Sequence, residues 1–420
     1  MGESDEKLWG EGLKLLRVLA DAGHEAYLVG GCVRDRLIGR PLHDIDIATS
    51  ALPEAVQALF PRTLPTGLQH GTVTVMVDGT PFEVTTYRTE SGYSDARRPD
   101  EVNFVSDVRE DLSRRDFTFN AMAVGLDGEL LDPFGGREDL SAGIVRTVGQ
   151  AAHRFGEDAL RMLRAIRFGA EFGFELAADT WDGMTSQKDR LARVAMERIG
   201  AEWDKMMSGR GPDQACAWLR ESGLLAYTKE PLFIGATDWT SSHPGAVRLS
   251  DIEGVDARWA AYWIGAGASE SETSAACKAL RLSGKRAARI AGVVGFERRL
   301  TGYGSSGKFA LGGGCDRETW IEAVLDYGVS AAEDWLAIRD AAFGKADREE
   351  RQWLDDMPIT RVSELAVRGD ELATVLGEPP GPWVARLLRR LLSEAAHVRV
   401  ANVKDALLEA ASRFRAEEGG

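Results

Sequence analysis

Residues 28–49 read LVGGCVRDRLIGRPLHDIDIAT, and this stretch decides the fold of the first part of the chain. An apolar run ends at a pair of glycines, a short helical segment follows, and the DIDIAT segment (Asp44–Thr49) alternates like a strand. Alternate residues of a strand point to one face, so Asp44 and Asp46 are expected to project together. Two like charges side by side repel each other, and a divalent cation such as Mg²⁺ removes that conflict.

A third carboxylate is predicted on a neighbouring hairpin. Thr72–Val77 and Phe82–Arg88 have the pattern of strands, and the Asp78-Gly79 pair between them is a strong hairpin signal. Glu83 lies between apolar neighbours, so its side chain is expected to point away from the core face. If this strand lies beside the DIDIAT strand, Glu83 completes a triad. Three carboxylates that hold two metal ions suit phosphoryl transfer.

The glycine pair Gly30-Gly31 lies between a strand and a helix that begins near Cys32. Backbone amides at such a turn, together with the helix N-terminus, form an anion site. Arg34, in the first turn, is predicted to contact a triphosphate. The alternative is an ordinary strand-turn-helix connection with acids on the surface. The two aspartates that follow, together with Glu83, favour the phosphate-binding interpretation.

Composition and charge exclude several classes of protein. The chain has 420 residues, of which 44% are hydrophobic and 28% charged, as is typical of folded globular proteins. Its net charge of −15 argues against a general nucleic-acid coat protein, which would be basic. Four scattered cysteines without a CxxC pair argue against a disulfide framework and a structural zinc site. No stretch is apolar for long enough to cross a membrane, and the expected location is a reduced cytoplasmic compartment.

The secondary-structure pattern changes along the chain. Before Asp132-Pro133-Phe134-Gly135-Gly136, helices alternate with short strands, of which Phe117–Leu126 is a further candidate. The pattern of this first part predicts a small sheet, mixed or mostly antiparallel, accompanied by helices. From residue 137 onward helical periodicity is almost continuous, for example over Glu157–Phe172. The predicted fold class is α+β, with an α/β head followed by an all-helical remainder.

The segments 28–35 and 43–49, with Gly39 between them, resemble the head of class II tRNA nucleotidyltransferases and the related bacterial poly(A) polymerases. These enzymes belong to the DNA-polymerase-beta-like nucleotidyltransferase superfamily. Further segments match in the order of that family, and they are RRDFTFNAMA at 114–123, DPFGG at 132–136, EDALR at 157–161 and Glu197-Arg198. The resemblance implies four parts: a nucleotidyltransferase head at 1–138, a helical neck that recognises the base at 139–207, an RNA-binding helical body at 208–335 and a tRNA-binding helical tail at 336–420.

The resemblance also implies roles for particular residues. Asp44 and Asp46 would hold Mg²⁺. Asp116 would accept a hydrogen bond from the ribose 2′-hydroxyl, with an ion pair to Arg114 or Arg115 as the alternative. The predicted catalytic residues are Asp44, Asp46 and Glu83. The predicted nucleotide-binding residues are Gly30, Gly31, Arg34, Arg115, Asp116, Asn120, Asp158, Arg161, Arg164 and Arg167.

Asp158 and Arg161 are three residues apart on a predicted helix, so they are expected to share a face. The resemblance of the 157–161 segment to the base-recognition motif of the family implies that this pair reads the nucleotide base. Arginine only donates hydrogen bonds and an ionised aspartate only accepts them. Cytosine and adenine each offer a ring-nitrogen acceptor beside a donor amine, which fits such a pair. Uracil and guanine reverse the pattern and leave both partners mispaired. The alternative is an ordinary helix ion pair between Glu157 and Arg161.

Two further features are weaker signals. Residues 88–113 resemble the flexible loop with which such enzymes switch from adding C to adding A, and their polar, Gly- and Pro-containing composition favours mobility. Basic clusters at 281–299 and 386–390 are candidate RNA-binding sites, with a solvated helix face as the alternative.

The predicted function is template-independent addition of C, C and A to the 3′ end of tRNA from CTP and ATP, with release of pyrophosphate. A poly(A) polymerase shares the head and neck motifs, and an enzyme that adds only CC or only A is another alternative. A non-catalytic RNA-binding protein is disfavoured because Asp44, Asp46 and Glu83 are all present. The implied partners are tRNA, CTP and ATP, without a membrane, and the pattern predicts no particular oligomeric state.

Overall fold

The computed structural model describes residues 2–91, 101–232, 247–301, 315–344 and 349–418. Contacts within the chain divide it into two compact units, 1–233 and 234–420. The finer division into head, neck, body and tail stays a prediction. The central part of the predicted flexible loop, 92–100, lies outside the described residues.

The first unit is built on a mixed sheet. In chain order its strands, and those of two small ribbons, are β1 (Ala26–Val29), β2 (Asp46–Thr49), β3 (Thr63–Gly67), β4 (Thr72–Val77), β5 (Thr80–Thr86), β6 (Arg88–Ser91), β7 (Glu101–Phe104), β8 (Ala123–Val124), β9 (Leu130–Leu131), β10 (Ile144–Val145) and β11 (Glu175–Leu176). Seven of them form one sheet in the order β3-β4-β5-β2-β1-β8-β9. Only β2 and β5 pair in parallel within this sheet, so the predicted mixed sheet is confirmed.

Ten α-helices accompany these strands among the described residues. They are α1 (Glu3–Asp21), α2 (Gly31–Leu37), α3 (Pro53–Leu59), α4 (Val108–Ser113), α5 (Gly136–Ala142), α6 (Ala151–Glu157), α7 (Leu160–Phe172), α8 (Ala178–Ser186), α9 (Met196–Ser208) and α10 (Pro212–Ser222). Pro53 begins α3, where a missing backbone N–H costs no helical hydrogen bond.

The predicted hairpin joins β4 and β5. Val77 pairs with Thr80, and the two residues between them, Asp78 and Gly79, have φ angles of 49° and 86°. A two-residue turn with positive φ at both positions matches the right-handed twist of the strands, which explains the Asp-Gly pair. This hairpin places Glu83 on β5.

The strand predicted over Phe117–Leu126 is wrong for most of its length. The structure has a 3-10 helix at Thr118–Asn120, and only the two residues of β8 join the sheet. The side chain of Asp116 accepts hydrogen bonds from the Phe117 backbone N–H and from Asn120 Nδ2, both at 2.9 Å. Such local side-chain bonds compete with a strand ladder.

The helix predicted over Glu157–Phe172 is interrupted at its start. Helix α6 ends at Glu157 and α7 begins at Leu160, and Asp158 between them has an extended backbone (φ −132°, ψ 103°). Asp158 Oδ1 accepts a hydrogen bond from the Leu160 backbone N–H at 3.0 Å, which satisfies a donor at the start of α7.

Part of the predicted loop 88–113 is ordered secondary structure. Strands β6 and β7 pair in an antiparallel ribbon, with Arg88 opposite Phe104. Helix α4 then begins after Asp107, whose side chain accepts a hydrogen bond from the Arg109 backbone N–H at 2.8 Å. An aspartate at this position is a typical helix cap.

The second unit is helical throughout its described part, as predicted. Its helices are α11 (Val255–Gly265), α12 (Glu270–Ala279), α13 (Gly284–Thr301), α14 (Arg317–Tyr327), α15 (Val329–Phe343), α16 (Glu349–Asp355), α17 (Gly369–Leu376), α18 (Pro382–Ala396) and α19 (Lys404–Glu418). Phe296, Trp320 and Trp335 pack together, with centroid distances of 5.1 to 5.8 Å. In the described ranges of the whole chain, no helix combines the length and apolar character that crossing a membrane requires.

Candidate active site

Two of the predicted catalytic carboxylates are neighbours in the sheet. Asp46, the first residue of β2, is the register partner of Glu83 on β5. Register partners on adjacent strands carry their side chains on the same face. Asp44 lies before β2, so the strand begins two residues later than predicted, and Asp44 is exposed. Ile45 and Ile47 are buried as expected, and the common direction of the Asp44 and Asp46 side chains stays a prediction.

Asp44 and Asp46 nevertheless interact electrostatically. Burial raises the pKa of the Asp46 carboxyl to about 6, and the charges of Asp44 and Glu83 contribute in the same direction. A buried carboxylate beside other carboxylates is an unfavourable charge arrangement that a cation would relieve, so the donor chemistry fits a divalent metal. Within the described ranges, however, no group of three or more His, Cys, Asp or Glu side chains is arranged to hold a metal. The metal role of Asp44 and Asp46 therefore stays a prediction.

Gly30 brings Arg115 close to these carboxylates. Gly30 has φ of 73°, and a Cβ built on it would lie 2.7 Å from Arg115 Nη1 and 3.8 Å from Asp46 Oδ2. The guanidinium of Arg115 donates weakly to Asp111 Oδ2 at 3.4 Å, and its buried Nε has no hydrogen-bond partner among the described residues. The charge of Arg115 also opposes the rise in the pKa of Asp46. The positive charge of Arg115 thus lies on the β1 side of Asp46.

We expect Gly30→Ala to raise the KM for the nucleotide about tenfold and to cost about 2 kcal/mol of stability, because φ of 73° strains an alanine and its Cβ meets Arg115. Steady-state kinetics and thermal unfolding test this. Gly39→Ala is the matched control: Gly39 has φ of 69° but no atom within 4 Å of its Cβ position. This control should lose stability and keep its nucleotide KM; a KM change in both variants, or in neither, would contradict the prediction.

Arg34 is buried and already has partners. It donates to Asn120 Oδ1 at 2.7 Å and to both carboxylate oxygens of Asp35 at 2.9 Å. Its guanidinium also lies 5.2 Å from the ring centre of Phe168 and 5.0 Å from that of Phe172. These contacts tie α2 to α7. The predicted triphosphate contact stays a prediction; these three bonds use three of the five N–H donors of the guanidinium.

Asp116 forms an ion pair with a residue on α7. Its Oδ2 accepts from Arg164 Nη2 at 2.6 Å and from Nε at 2.8 Å. Burial acts to raise the pKa of Asp116, but the charge of Arg164, the Asn120 hydrogen bond and the charge of Arg161 outweigh it and hold the pKa well below its usual range. Asp116 is therefore an ionised acceptor at neutral pH. Its partner is not Arg114 or Arg115, the two candidates considered from the sequence.

Asp158 and Arg161 do not share one helix face, because Asp158 lies in the break before α7. Asp158 Oδ2 accepts from Arg198 Nη2 at 2.9 Å. Arg161 Nη1 donates to Glu157 at 2.6 Å, and Nη2 donates to the Arg114 carbonyl at 3.1 Å. The ion pair weighed as the alternative is thus present. Arg198 was noted only as part of a motif, and its contact with Asp158 links residues forty positions apart.

Arg167 is also bound to an acid. Its Nε donates to Glu202 Oε2 at 2.7 Å, and its guanidinium lies 4.0 Å from the Phe168 ring centre. Lys205 Nζ donates to the other oxygen of Glu202 at 3.0 Å. Glu202 is 4% exposed. This network joins α7 to α9, and the nucleotide contact predicted for Arg167 stays a prediction.

Both basic clusters contain arginines that are paired with acids. Arg289 donates to both oxygens of Asp334, at 2.7 and 2.8 Å. Arg389 lies 2.9 Å from Glu322 and 2.5 Å from Asp326. Such pairing lowers the positive potential that a phosphate would meet, which weakens the RNA-binding interpretation of these clusters.

Family models match three parts of the chain: the poly A polymerase head domain at 26–146, the "Probable RNA and SrmB-binding site of polymerase A" at 173–232, and domain 2 of tRNA nucleotidyltransferases at 251–411. The CCA-adding enzyme of Geobacillus thermodenitrificans is 37% identical over 400 residues, which are 94% of each chain. The chain belongs to the CCA-adding enzyme family. Its membership confirms the predicted enzyme class, a nucleotidyltransferase.

Solved structures of CCA-adding enzymes share the fold. The Bacillus stearothermophilus CCA-adding enzyme, crystallised in complex with CTP, matches all of this chain with a TM-score of 0.80 and 35% identity. The Thermotoga maritima CCA-adding enzyme complexed with tRNA has a TM-score of 0.65 over 96% of this chain at 18% identity, and this likeness concerns the fold alone. The predicted fold class, an α+β protein with a polymerase-beta-like head followed by helices, is therefore confirmed.

Proposed function

We propose that this protein adds C, C and A in turn to the 3′ end of tRNA, using CTP and ATP and releasing pyrophosphate. The observation that carries the proposal is the register of β2 and β5, which sets Asp46 beside Glu83 in a chain of the CCA-adding family. Gly30 and Arg115 adjoin Asp46 on the side of β2 opposite to Glu83. We also propose Mg²⁺ as the metal and the cytoplasm as the location.

The reaction is an in-line displacement at the α-phosphorus of the nucleotide. The RNA 3′-oxygen forms a bond to that phosphorus while its proton leaves, and the bond to the bridging oxygen breaks with departure of pyrophosphate. Mg²⁺, when held by Asp44 and Asp46, would neutralise charge on the phosphates and activate the attacking hydroxyl. Glu83 orients the attacking end from β5. Gly30 allows close approach of the triphosphate, and Arg115 donates to it.

Asp116 selects the sugar. Arg164 and Asn120 hold its carboxylate ionised and in a fixed orientation. An ionised carboxylate accepts a hydrogen bond from a ribose 2′-hydroxyl, which a deoxyribonucleotide lacks. A site built to bond a hydroxyl rejects the analogue without it, because a buried polar group is then left with an unmet bond.

Asp158 and Arg161 read the base, and their ion pairs with Arg198 and Glu157 hold the two side chains in place. A carboxylate has about four acceptor sites and a guanidinium five N–H donors, so both side chains keep hydrogen-bonding capacity for the base. Cytosine and adenine each supply a donor and an acceptor in the required order. Uracil and guanine reverse that order and leave both side chains mispaired.

We expect Asp158→Ala to lower the preference for CTP over UTP about ten- to a hundredfold, because the acceptor for the cytosine amine is lost. Single-turnover addition to a tRNA that ends before CCA measures this ratio with each nucleotide. Asp182→Ala removes an exposed acid of α8 and serves as the control, with an unchanged ratio. Unchanged rejection of UTP by Asp158→Ala would refute the template role.

The function itself is tested with three tRNAs, ending before CCA, after the first C and after CC. Each is incubated with the protein, Mg²⁺, CTP and ATP, and the product ends are sequenced. A single complete CCA on every tRNA is the expected result. Long A runs would identify a poly(A) polymerase, and addition to only some ends would identify a CC-adding or A-adding enzyme. No addition by folded protein would overturn the proposal.

A further inference from the structure

The order of the strands shows from which side the RNA can approach the carboxylates of Asp46 and Glu83. Strand β2, with Asp46, lies between β1 and β5. Three residues are predicted to contact the nucleotide on the β1 side of Asp46. Gly30 directly follows β1, and Arg115 and Asp116 lie in the segment between α4 and β8. In-line displacement puts the attacking and leaving oxygens on opposite sides of phosphorus. If the proposed function holds, the RNA 3′ end therefore approaches over β5 and its neighbours.

Beyond Glu83, this face carries a row of threonines. Glu83 is the register partner of Thr74 on β4, and Thr85 is the partner of Thr72. Register partners share a face, so these three threonines continue the face that carries Asp46 and Glu83. The alternate residues of β5 point the other way into the core, and they include Phe82 and Val84, both buried. We call Thr66, Thr72, Thr74 and Thr85 the threonine row.

The hydroxyls of the threonine row are bonded in pairs. Thr72 Oγ1 and Thr85 Oγ1 are 3.0 Å apart, and Thr66 Oγ1 and Thr74 Oγ1 are 2.6 Å apart. In a pair of hydroxyls only one hydrogen is used between the two oxygens, so each pair keeps one donor hydrogen and several acceptor lone pairs. Each pair can thus donate to one phosphate or sugar oxygen of a ligand.

We propose that the threonine row holds the 3′-terminal sugar-phosphate of the tRNA. Neutral hydroxyls suit this position because a lysine or arginine there would pair with Glu83 and Asp46 and compete with a metal for them. An acid would repel the phosphates. Hydroxyl donors bind the RNA without disturbing the carboxylates.

The test removes one hydroxyl pair completely. In the double variant Thr72→Val and Thr85→Val both partners become apolar, so neither hydroxyl is left without its bond and the fold is preserved. We expect the Kd for a tRNA ending in CC to rise about tenfold by fluorescence anisotropy, with an unchanged KM for ATP. Thr80→Val, at the exposed far end of β5, is the matched control and should change neither quantity.

A second substrate locates the contact. A tRNA shortened to its last paired nucleotide has no single-stranded end, and the variants should bind it as the unaltered protein does. An unchanged Kd for the CC-ending tRNA would overturn the inference, as would equal losses for both tRNAs or a parallel rise in the KM for ATP. If the unaltered protein binds tRNA but adds no nucleotide, the proposed function fails, and the end-dependent loss of binding still decides this inference.

Discussion

Asp46→Asn is expected to lower the rate of nucleotide addition by about a thousandfold or more while the protein stays folded. Asparagine has nearly the shape of aspartate but lacks the charge that would hold a metal beside Glu83. Burial and the neighbouring charge of Asp44 raise the pKa of Asp46, so without a metal the negative charge opposes folding at neutral pH. The thermal midpoint of the metal-free variant should therefore equal or exceed that of the unaltered protein. Single-turnover rates and thermal unfolding in a chelating buffer measure both effects.

Asp21→Asn is the control for this experiment, because Asp21 is an exposed acid at the end of α1. It should leave both the rate and the midpoint unchanged. Turnover by Asp46→Asn within tenfold of the unaltered protein would remove Asp46 from the catalytic set. A large drop in the metal-free midpoint would show that Asp46 is a structural residue.

Asp116→Asn is expected to lose about 2 kcal/mol of stability at neutral pH and to discriminate at least about tenfold less between ribo- and deoxyribonucleotides. The substitution leaves Arg164 without its carboxylate, and Arg164 is bonded to Asp116 through two nitrogens. Because part of the Arg164 side chain reaches solvent, the loss should be smaller than for a fully buried pair. Denaturant unfolding measures the stability, and incorporation of CTP against dCTP measures the discrimination.

The pH dependence of that stability follows from the lowered pKa of Asp116. A carboxyl whose pKa is lower in the folded protein contributes its full stabilisation above the unfolded value and loses it as pH falls towards the folded value. The stability difference between the unaltered protein and Asp116→Asn should be constant above about pH 5 and shrink below about pH 4. A difference that instead grows in acid would mean that Asp116 is protonated in the folded protein.

Asp111→Asn provides a matched comparison for the sugar selectivity. Asp111 is buried on α4 and forms ion pairs with Arg114 and Arg115, so its loss also breaks buried ion pairs. This variant should lose stability without a change in the ratio of CTP to dCTP use. An equal change in that ratio for both variants would show that it reports general disorder of the site.

The carboxylates illustrate how far local pattern reaches. The alternation around Asp46 and Glu83 identified two acids that face away from the core, and the sheet confirms both orientations. Asp46 and Glu83 are neighbours only because β2 pairs with β5, and the sequence did not show whether these two strands pair. Parallel pairing joins strands through a long connection, here past β3 and β4, and no local pattern specifies which strands meet.

The base-reading pair shows where a helical pattern misleads. Helical periodicity continued through Asp158, and a spacing of three residues placed Asp158 and Arg161 on one face. The side chain of Asp158 instead caps the start of α7 and opens the helix at that point. Whether an aspartate caps a helix or continues it depends on a distant partner, because Arg198 from α9 bonds its other oxygen.

The arginines show the same limit. Their positions in the motifs identified Arg34, Arg164 and Arg167 as candidates for phosphate contact. Tertiary structure supplied each with a partner on another element: Asn120, Asp116 and Glu202. The sequence shows where the positively charged residues are. It does not show which acceptor groups the fold brings within hydrogen-bond distance of them.

The amino-acid order alone determined the elements whose causes are local. The Asp-Gly turn between β4 and β5, the helix that begins at Pro53 and the helical second half follow from residues within one turn or strand of each other. The order of the motifs between residues 28 and 198 carried the resemblance to the family. Tertiary structure alone decided the pairing of Asp46 with Glu83, the ion pairs of Asp116 and Asp158, and the threonine row. The physical reason is that these contacts join groups far apart in the chain, whose free energy depends on burial and on partners that only the folded chain brings together.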